Sequence, residues 1–440
     1  MIDNYFQLKE NKTDVKTEIL VGITTFIAGM YIIVVNPTIL KDAGIPYDSG
    51  ITATILLSAF MTIAMGLYAK NPILVAPGMG INAYFTYTVV IGMGISPYVA
   101  LGAIFWAGVF FVVISALNIR TYIIQAIPMS VRIGGAVGIG IYIALIGFHN
   151  SGFIIAKAPF IGLGKLSSNT FIFLLGLSAT IILVQKKVKG ALILGMIVTT
   201  LLSWPVGRWF AIEPHATPLI EWNGAFAAPD FSWFFKADLI KSLHYSFIPI
   251  LFALLFVDMF DSITTFVGVA EATGLKEKNG DPRNIKQSMI VDGLATLFAG
   301  LFGTTSGTAY IESTAGIEAG GRTGLAAVVT GLLFLPFLFF APLASLVPQV
   351  ATAPVLVLVG VFMAAPLSKI NWHQMEEAIP AFLTLVLIPL TYSLTQGIVY
   401  GLLTYTLIKI VNGKSREIPW MLWVVDAFSI LMLSIEYRIV

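Results

Sequence analysis

The stretch FIPILFALLFVDMFDSITTFVGVA, residues 247–270, places two carboxylates, Asp258 and Asp261, inside an apolar segment long enough to cross a membrane. A charged side chain at the centre of a bilayer costs roughly 3 kcal/mol on insertion scales, so it persists only beside a polar cavity or a partner. On a helix, Asp258, Asp261, Ser262 and Thr265 lie three or four residues apart and form one polar stripe. The stretch therefore predicts a membrane-spanning helix with a polar face.

This polar stripe has a structural and a functional interpretation. Serine and threonine within a span commonly make hydrogen bonds between helices. Two carboxylates one helical turn apart repel each other, and this favours a functional role for Asp258. Asp261 either shares that role or braces a neighbouring backbone.

Composition places the whole chain in a membrane. Of 440 residues, 57% are hydrophobic and 11% are charged, and the mean hydropathy is +0.90, whereas soluble domains carry about 25% charged residues. The net charge of +2 indicates no nucleic-acid partner. The chain has no cysteine and four scattered histidines, so it predicts no disulfide, no metal site and no cofactor. Residues 1–18 are polar and do not resemble a signal peptide.

Apolar runs predict an all-α polytopic membrane protein with fourteen transmembrane segments, since about 20 apolar residues span a bilayer as a helix. The runs are residues 17–40, 50–69, 72–91, 97–117, 131–148, 170–185, 190–207, 245–270, 287–302, 305–318, 322–341, 349–365, 377–395 and 396–411. The polar stretch 208–241 divides them seven and seven, and an odd number of spans in each repeat forces an inverted topology. The predicted parts are a cytoplasmic N-terminus (1–16), a first repeat (17–207), an extracytoplasmic connection (208–244), a second, inverted repeat (245–411) and a C-terminal segment (412–440).

Charge predicts the orientation of these segments. Loops on one side hold 19 of the 25 Lys and Arg residues, and basic loops stay in the cytoplasm. Both termini are therefore expected on the cytoplasmic side of the plasma membrane. The apolar tail is interrupted by Asp426, Glu436 and Arg438, which favours an interfacial helix over a fifteenth span.

The third apolar segment of the second half is too rich in helix breakers to be one continuous helix. It reads GTTSGTAYIESTAGIEAGGRTG, residues 303–324. Irregular backbone at membrane depth is tolerated only against protein or a water-filled cavity, where free N–H and C=O groups can bind a polar ligand. Glu312 and its neighbours Ile311 and Ser313 are therefore candidate ligand-binding residues. Glu318 is a secondary candidate, for which a salt bridge with Arg322 is the simpler role.

The third segment of the first half has the same character. It reads NPILVAPGMGINAYF, residues 71–85, in which a proline and two glycines interrupt the helix. Asn82 offers both donors and an acceptor, and Tyr84 offers a stacking face and a hydroxyl; packing is the alternative for both.

A short sequence echo relates the two irregular segments. AYFTYT (83–88) and AYIEST (309–314) align without gaps and place Thr86 opposite Glu312. We therefore predict that the two segments cross near the bilayer midplane. Asp292, near the cytoplasmic end of another span, is predicted to make a local salt bridge or a helix cap.

Four stretches carry a family resemblance: TEILVGITTFIAGMYIIVVNP (17–37), NPILVAPGMGINAYF (71–85), VDMFDSITTFVGVAEATGL (257–275) and GTTSGTAYIESTAGIEAGGRTGL (303–325). Together they resemble the nucleobase–cation symporters, specifically the adenine/guanine/hypoxanthine permease (AzgA-like) group. The resemblance implies two inverted seven-span repeats, a core and a gate domain, and short strands in the third and tenth spans. It also implies that Asp258 and Glu312 bind the base near Asn82, and that Asp261 is important.

These observations predict proton-coupled import of purine bases by alternating access, without an enzymatic reaction. A carboxylate accepts the N–H donors of a purine edge, and burial favours the neutral acid, which can donate. Glu312 and Asp258 are expected to contact the base. Both, together with Asp261, are candidates for proton coupling, and Ser262 and Thr265 are secondary candidates. The predicted partners are a purine, a proton and the lipid bilayer, with a homodimer left open.

Other classes of protein fit this sequence less well. A channel needs a continuous polar lining, and an intramembrane aspartyl protease needs aspartates on separate helices, whereas Asp258 and Asp261 share one. An anion transporter would have a basic centre. Transport of xanthine, uracil or a related small solute on the same fold remains the alternative.

Overall fold

The computed structural model describes residues 2–117, 128–157, 160–209, 226–277, 281–344, 346–391 and 393–436. Most of them are helical, because a helix satisfies its backbone hydrogen bonds internally, as a segment in lipid must. The α-helices are α1 (Ile2–Phe6), α2 (Val15–Gly29), α3 (Ile32–Asp42), α4 (Tyr47–Leu67), α5 (Met79–Ala83), α6 (Pro97–Ala116), α7 (Met129–Asn150), α8 (Ser168–Gln185), α9 (Ala191–Trp209), α10 (Ile248–Thr273), α11 (Ile285–Phe302), α12 (Ser313–Glu318), α13 (Gly324–Phe334), α14 (Ala341–Ala344), α15 (Gln349–Ala364), α16 (Met375–Thr391), α17 (Leu394–Val411) and α18 (Trp420–Glu436). The strands are β1 (Val75–Pro77), β2 (Ile154–Lys157), β3 (Phe160–Leu163) and β4 (Gly307–Ala309).

Eight helical stretches among the described residues are long and apolar enough to cross a membrane. They are Val15–Asp42, Tyr47–Leu67, Pro97–Ala116, Met129–Asn150, Ser168–Gln185, Tyr245–Ala270, Ile285–Phe302 and Gln349–Lys369. Shorter apolar helices lie at Ala191–Trp204, Gly324–Leu338 and Gln396–Val411. Each of these stretches coincides with an apolar run of the sequence.

The two irregular segments are broken as predicted, and they meet. β1 and β4 pair antiparallel, with Val75 opposite Ala309 and Pro77 opposite Gly307. β1 is followed by α5 and a π-helical segment, Tyr84–Gly92, and β4 is followed by α12. Tyr310 reinforces the pair, because its hydroxyl donates to the Pro77 carbonyl at 2.5 Å.

The letter-by-letter alignment of the two segments is wrong. Ala83 ends helix α5, whereas Ala309 ends strand β4, so the two alanines hold different places in their units. Thr86 consequently lies within the π-helical segment, and Glu312 lies just before α12.

The long helices pack in two sets. In the first, α13 packs on α2 and α4, and α11 packs on α4 and α6; α3, α10, α12 and both short strands β1 and β4 belong to it. In the second, α7 packs on α15 and α16, α8 packs on α9 and α15, and α16 packs on α17. The buried Tyr31 and Phe334 are among the largest core side chains of the first set.

Close backbone contact within the first set requires glycine at two positions. A Cβ atom on Gly324 of α13 would collide with the backbone of Gly66 in α4, and a Cβ atom on Gly66 would meet the Gly324 carbonyl. Small residues of this kind let helices approach closely in a membrane.

Two features of the chain ends and loops complete the description. β2 and β3 form an antiparallel hairpin after α7 that the apolar runs do not predict. In the C-terminal segment, α18 has one buried face, on which Asp426 accepts a 2.5 Å hydrogen bond from Thr406 of α17.

Candidate functional site

The polar stripe of α10 divides between two environments. Asp261 and Thr265 line a cavity of about 280 Å³. Asp258 and Ser262 are fully buried and bond to side chains of α11 instead. The stripe therefore lies at the boundary between the packed first set of helices and an open space.

Glu312 faces the same cavity from the link between β4 and α12. Its Oε1 accepts a 2.6 Å hydrogen bond from the hydroxyl of Tyr31, which lies at the break between α2 and α3. Because Tyr31 is buried, the carboxylate is held in place from the side of the first helix set. A charge-assisted bond of this kind is roughly twice as strong as a neutral one.

The cavity lies between the two sets of helices. The first set contributes Asp261 and Thr265 from α10 and Glu312 from the β4–α12 link, and the second set contributes residues of α7, of α15 and of the turn after α15. Most of the wall is apolar, including Ile311, Val359 and Phe362. A few polar groups in a largely apolar cleft are typical of a small-molecule site.

A second cluster of carboxylates lies beside the cavity, inside the first helix set. Asp258 accepts a hydrogen bond from Thr296, and Asp292 accepts one from Ser262. Ser262 also bonds to Thr308 of β4 at 2.9 Å, and Thr296 donates to the Gly307 carbonyl at 3.3 Å. Both aspartates are therefore linked through hydroxyls to the strand that leads to Glu312.

Asp292 corrects an expectation from the sequence. Its position near the end of a span predicts a cap or a salt bridge, but the residue is fully buried and bonded to Ser262 of α10. The α11 helix packs closely against α6, and within the described ranges no lysine or arginine forms an ion pair with Asp292.

The other predicted site residues have varied surroundings. Asn82 is buried in α5, and neither of its amide atoms has a hydrogen-bond partner among the described residues. Tyr84 is buried in the π-helical segment. Ile311 is 41% exposed and lines the cavity, while the Ser313 hydroxyl accepts from the Leu74 backbone at 3.0 Å and braces the chain before β1.

Glu318 does not form the predicted salt bridge with Arg322. Glu318 is exposed at the end of α12. The Arg322 guanidinium instead donates to the carbonyls of Ile317 and Gly321, and its backbone N–H donates to Glu18. The bond to Glu18 ties the end of the irregular segment 303–324 to helix α2.

Three residues of this region were not predicted from the sequence as site residues. They are Tyr31, Asp292 and Arg132, of which Arg132 lines the cavity from α7. The sequence signals are a tyrosine within the first apolar run, an arginine at the start of another and, for Asp292, a carboxylate near the end of a third. The tyrosine and arginine patterns are not specific, and the aspartate pattern predicted a cap or a salt bridge. Within the described ranges, no group of three or more His, Cys, Asp or Glu residues is placed to hold a metal ion.

Comparison with solved structures identifies the fold. The transmembrane domain of the cyanobacterial bicarbonate transporter BicA superposes with a TM-score of 0.63 over 88% of this chain and 97% of that chain, at 17% sequence identity. The transporter SLC26A9 superposes with a TM-score of 0.63 over 93% of this chain and 68% of its own, at 13% identity. The chain therefore has the helical fold of these membrane transporters.

Comparison with known sequences identifies the family. A family model described as "Permease family" matches residues 16–400. The guanine/hypoxanthine permease PbuO of Bacillus subtilis is 40% identical over 94% of this chain and 96% of its own length. The adenine permease AdeP of Escherichia coli is 37% identical over 95% of this chain and 92% of its own length. The chain thus belongs to the Permease family, in the group of adenine and guanine/hypoxanthine permeases that its motifs resemble.

Proposed function

We propose that the chain is a proton-coupled symporter that imports purine nucleobases by alternating access. One observation carries the proposal: two carboxylates, Asp261 and Glu312, line a single largely apolar cavity between two sets of helices. A planar base with polar edges fits such a cavity, because its faces contact apolar walls while its N–H groups donate to carboxylates.

Base recognition is assigned to Glu312 and Asp261. Tyr31 holds Glu312 in place at 2.6 Å, which orients the carboxylate toward a ligand. Ile311 supplies an apolar contact beside it. Asn82 remains a candidate for base contact, since its buried amide has no partner among the described residues and a polar ligand would satisfy it.

Proton carriage is assigned to Asp258 and Asp292. Asp258 lies outside the cavity wall, so we now assign it to coupling rather than to base contact. An ionised carboxylate buried without a cation is costly, so each of these groups is suited to bind a proton in one state of the transporter and to release it in another. Ser262, Thr296 and Thr308 connect them to β4, and through β4 to the base contact at Glu312.

Alternating access is assigned to relative movement of the two helix sets. The first set acts as the core domain and the second as the gate domain. Together they would form fourteen spans in two inverted repeats. α7 supports this assignment, because its first turns line the cavity described above and its last turns line a second cavity near Asp42, Tyr87 and His149. A rise of 1.5 Å per residue separates Arg132 from His149 by about 25 Å, close to the thickness of a bilayer core. With both termini cytoplasmic, the cavity at Glu312 opens toward the cytoplasm.

A xanthine or uracil transporter on the same fold is the alternative. The assignment to adenine, guanine or hypoxanthine rests on relatives whose names include these bases and which match nearly the whole chain.

The test is uptake of radiolabelled bases into proteoliposomes that contain the purified protein. We expect a proton gradient directed into the liposomes to drive accumulation of a purine, and we expect a protonophore to abolish that accumulation. Accumulation of uracil or xanthine but of no adenine, guanine or hypoxanthine would exclude the assignment to these three bases and favour the alternative. Purine accumulation that follows a sodium gradient and ignores the pH gradient would exclude proton coupling.

A further inference from the structure

Arg132 faces the two carboxylates of the cavity from the opposite helix set. It lies in the first turn of α7 and is half-buried, and it lines the same cavity as Asp261 and Glu312. Its Nε is buried and has no hydrogen-bond partner among the described residues. The cavity is therefore acidic on the α10 side and cationic on the α7 side.

Two other arginines within the described ranges, Arg283 and Arg322, are engaged by protein groups. Arg283 donates to the carbonyls of Lys70 and Arg322, and Arg322 donates to those of Ile317 and Gly321. Leaving a buried donor unpaired costs about 1–3 kcal/mol, and more for a charged group. The unpaired Nε at the cavity wall indicates that a bound ligand supplies the missing acceptor.

The guanidinium selects the kind of acceptor. It presents a planar fork of donors and has no acceptor, so it matches two adjacent acceptors on a planar ring. Arginine contacts guanine in this way in nucleic-acid complexes, through O6 and N7, whereas adenine presents an amino donor in place of O6.

We propose that Arg132 is a substrate-contacting residue that selects 6-oxopurines, hypoxanthine and guanine, over adenine. The inference rests on the proposed function and specifies its substrate class. Glu312 accepts N1–H, and in guanine the adjacent amino group as well. Arg132 donates to O6 and N7 around the ring. Adenine would place its amino group against the guanidinium, donor against donor.

A different role for Arg132 predicts a different pattern. If it only pairs with Asp261 or Glu312 when the two helix sets close on each other, its loss affects every substrate equally. The base dependence of a variant therefore distinguishes ligand contact from a gate contact.

The experiment measures binding of radiolabelled hypoxanthine and adenine to the purified protein and to Arg132→Gln, Arg132→Lys and Arg416→Gln. Arg416 is an exposed arginine far along the chain from the cavity residues and serves as the matched control. We expect the wild type to prefer hypoxanthine, and Arg132→Gln to lose about tenfold or more of that preference, chiefly through weaker hypoxanthine binding. Arg132→Lys should retain part of the preference, and Arg416→Gln all of it.

A ligand change tests the same contact without altering the fold. 7-Deazahypoxanthine lacks the N7 acceptor, so it should bind the wild type more weakly than hypoxanthine does and should show no such deficit with Arg132→Gln.

Each contrary result identifies which claim fails. Wild-type protein that prefers adenine, equal loss of both bases in Arg132→Gln, or an N7 effect that persists in that variant would overturn the role of Arg132 while purine binding stands. Wild-type protein that binds no purine would overturn the proposed function, and the inference with it.

Discussion

At the scale of single residues, the carboxylates of the cavity have different surroundings and should have separable functions. Glu312 and Asp261 contact open space, whereas Asp258 and Asp292 contact only protein. Substitutions that remove charge but keep shape can therefore distinguish base binding from proton carriage.

Glu312→Gln should weaken hypoxanthine binding by about 10- to 100-fold, because a charge-assisted hydrogen bond contributes about 1.5–3 kcal/mol. The measurement is equilibrium binding to purified protein. Glu318→Gln is the matched control, because Glu318 ends the short helix that follows Glu312 but is exposed and does not line the cavity. The hypoxanthine affinity of Glu318→Gln should equal that of the wild type. Equal effects of the two substitutions would remove Glu312 from the site.

Asp258→Asn and Asp261→Asn should impair different functions, the first proton coupling and the second base binding. Asp261→Asn should reduce hypoxanthine affinity about tenfold, because Asp261 lines the cavity. Asp258→Asn should leave the affinity nearly unchanged but abolish accumulation driven by a pH gradient, because asparagine keeps the bond to Thr296 and cannot carry a proton. If Asp258→Asn still concentrates purine in response to the gradient, Asp258 is not a proton carrier.

The sequence identifies the residues whose burial is expensive but not their partners. Asp258, Asp261 and Glu312 stand out because an isolated charge in an apolar run needs an explanation. Tyr31 and Arg132 do not, because tyrosine is common in apolar runs and arginine is common at helix ends. One face of α10 points to α11 and another to the cavity. The choice depends on helix packing, which the spacing of polar residues along the sequence does not specify.

At the scale of elements, the paired strands β1 and β4 hold the site together. Tyr310→Phe removes the hydroxyl that donates to Pro77 across the pair and leaves that carbonyl unpaired. We expect a loss of about 1–2 kcal/mol of stability and a lower midpoint of thermal unfolding in detergent. Tyr68→Phe, at a tyrosine that is 56% exposed, should leave the midpoint unchanged. No difference between the two variants would mean that the hydroxyl does not support the strand pair.

The sequence predicted helices where apolar runs are long, and it predicted broken segments where several helix-breaking residues lie close together. The broken segments around Pro77 and Gly307 follow from proline, glycine and hydroxyl residues, and their pairing follows from their equal positions in the two halves. The echo between AYFTYT and AYIEST failed because six letters carry no information on whether Ala83 and Ala309 lie in a helix or in a strand. The β2–β3 hairpin lies between spans, where hydropathy has no structural signal.

At the scale of the whole molecule, we expect a purine to bind in the cavity between the two helix sets and to be released from it. The Gly66–Gly324 contact and the bonds of Arg322 bind the first set into one unit, and the charged cavity lies where that unit faces the second set. Relative movement of the two units would open and close the site without unfolding either of them.

Thiol labelling can locate the bound purine, because the chain contains no cysteine and an introduced thiol is unique. Thr265→Cys places it in the cavity wall, and Ser368→Cys places it at an exposed position outside that wall, one residue from Lys369 of the wall. We predict that hypoxanthine slows labelling of Thr265→Cys by a maleimide over the concentration range in which it binds, and leaves labelling of Ser368→Cys unchanged. Purine binding that does not protect Thr265→Cys would show that the base binds elsewhere and would contradict a binding site in this cavity.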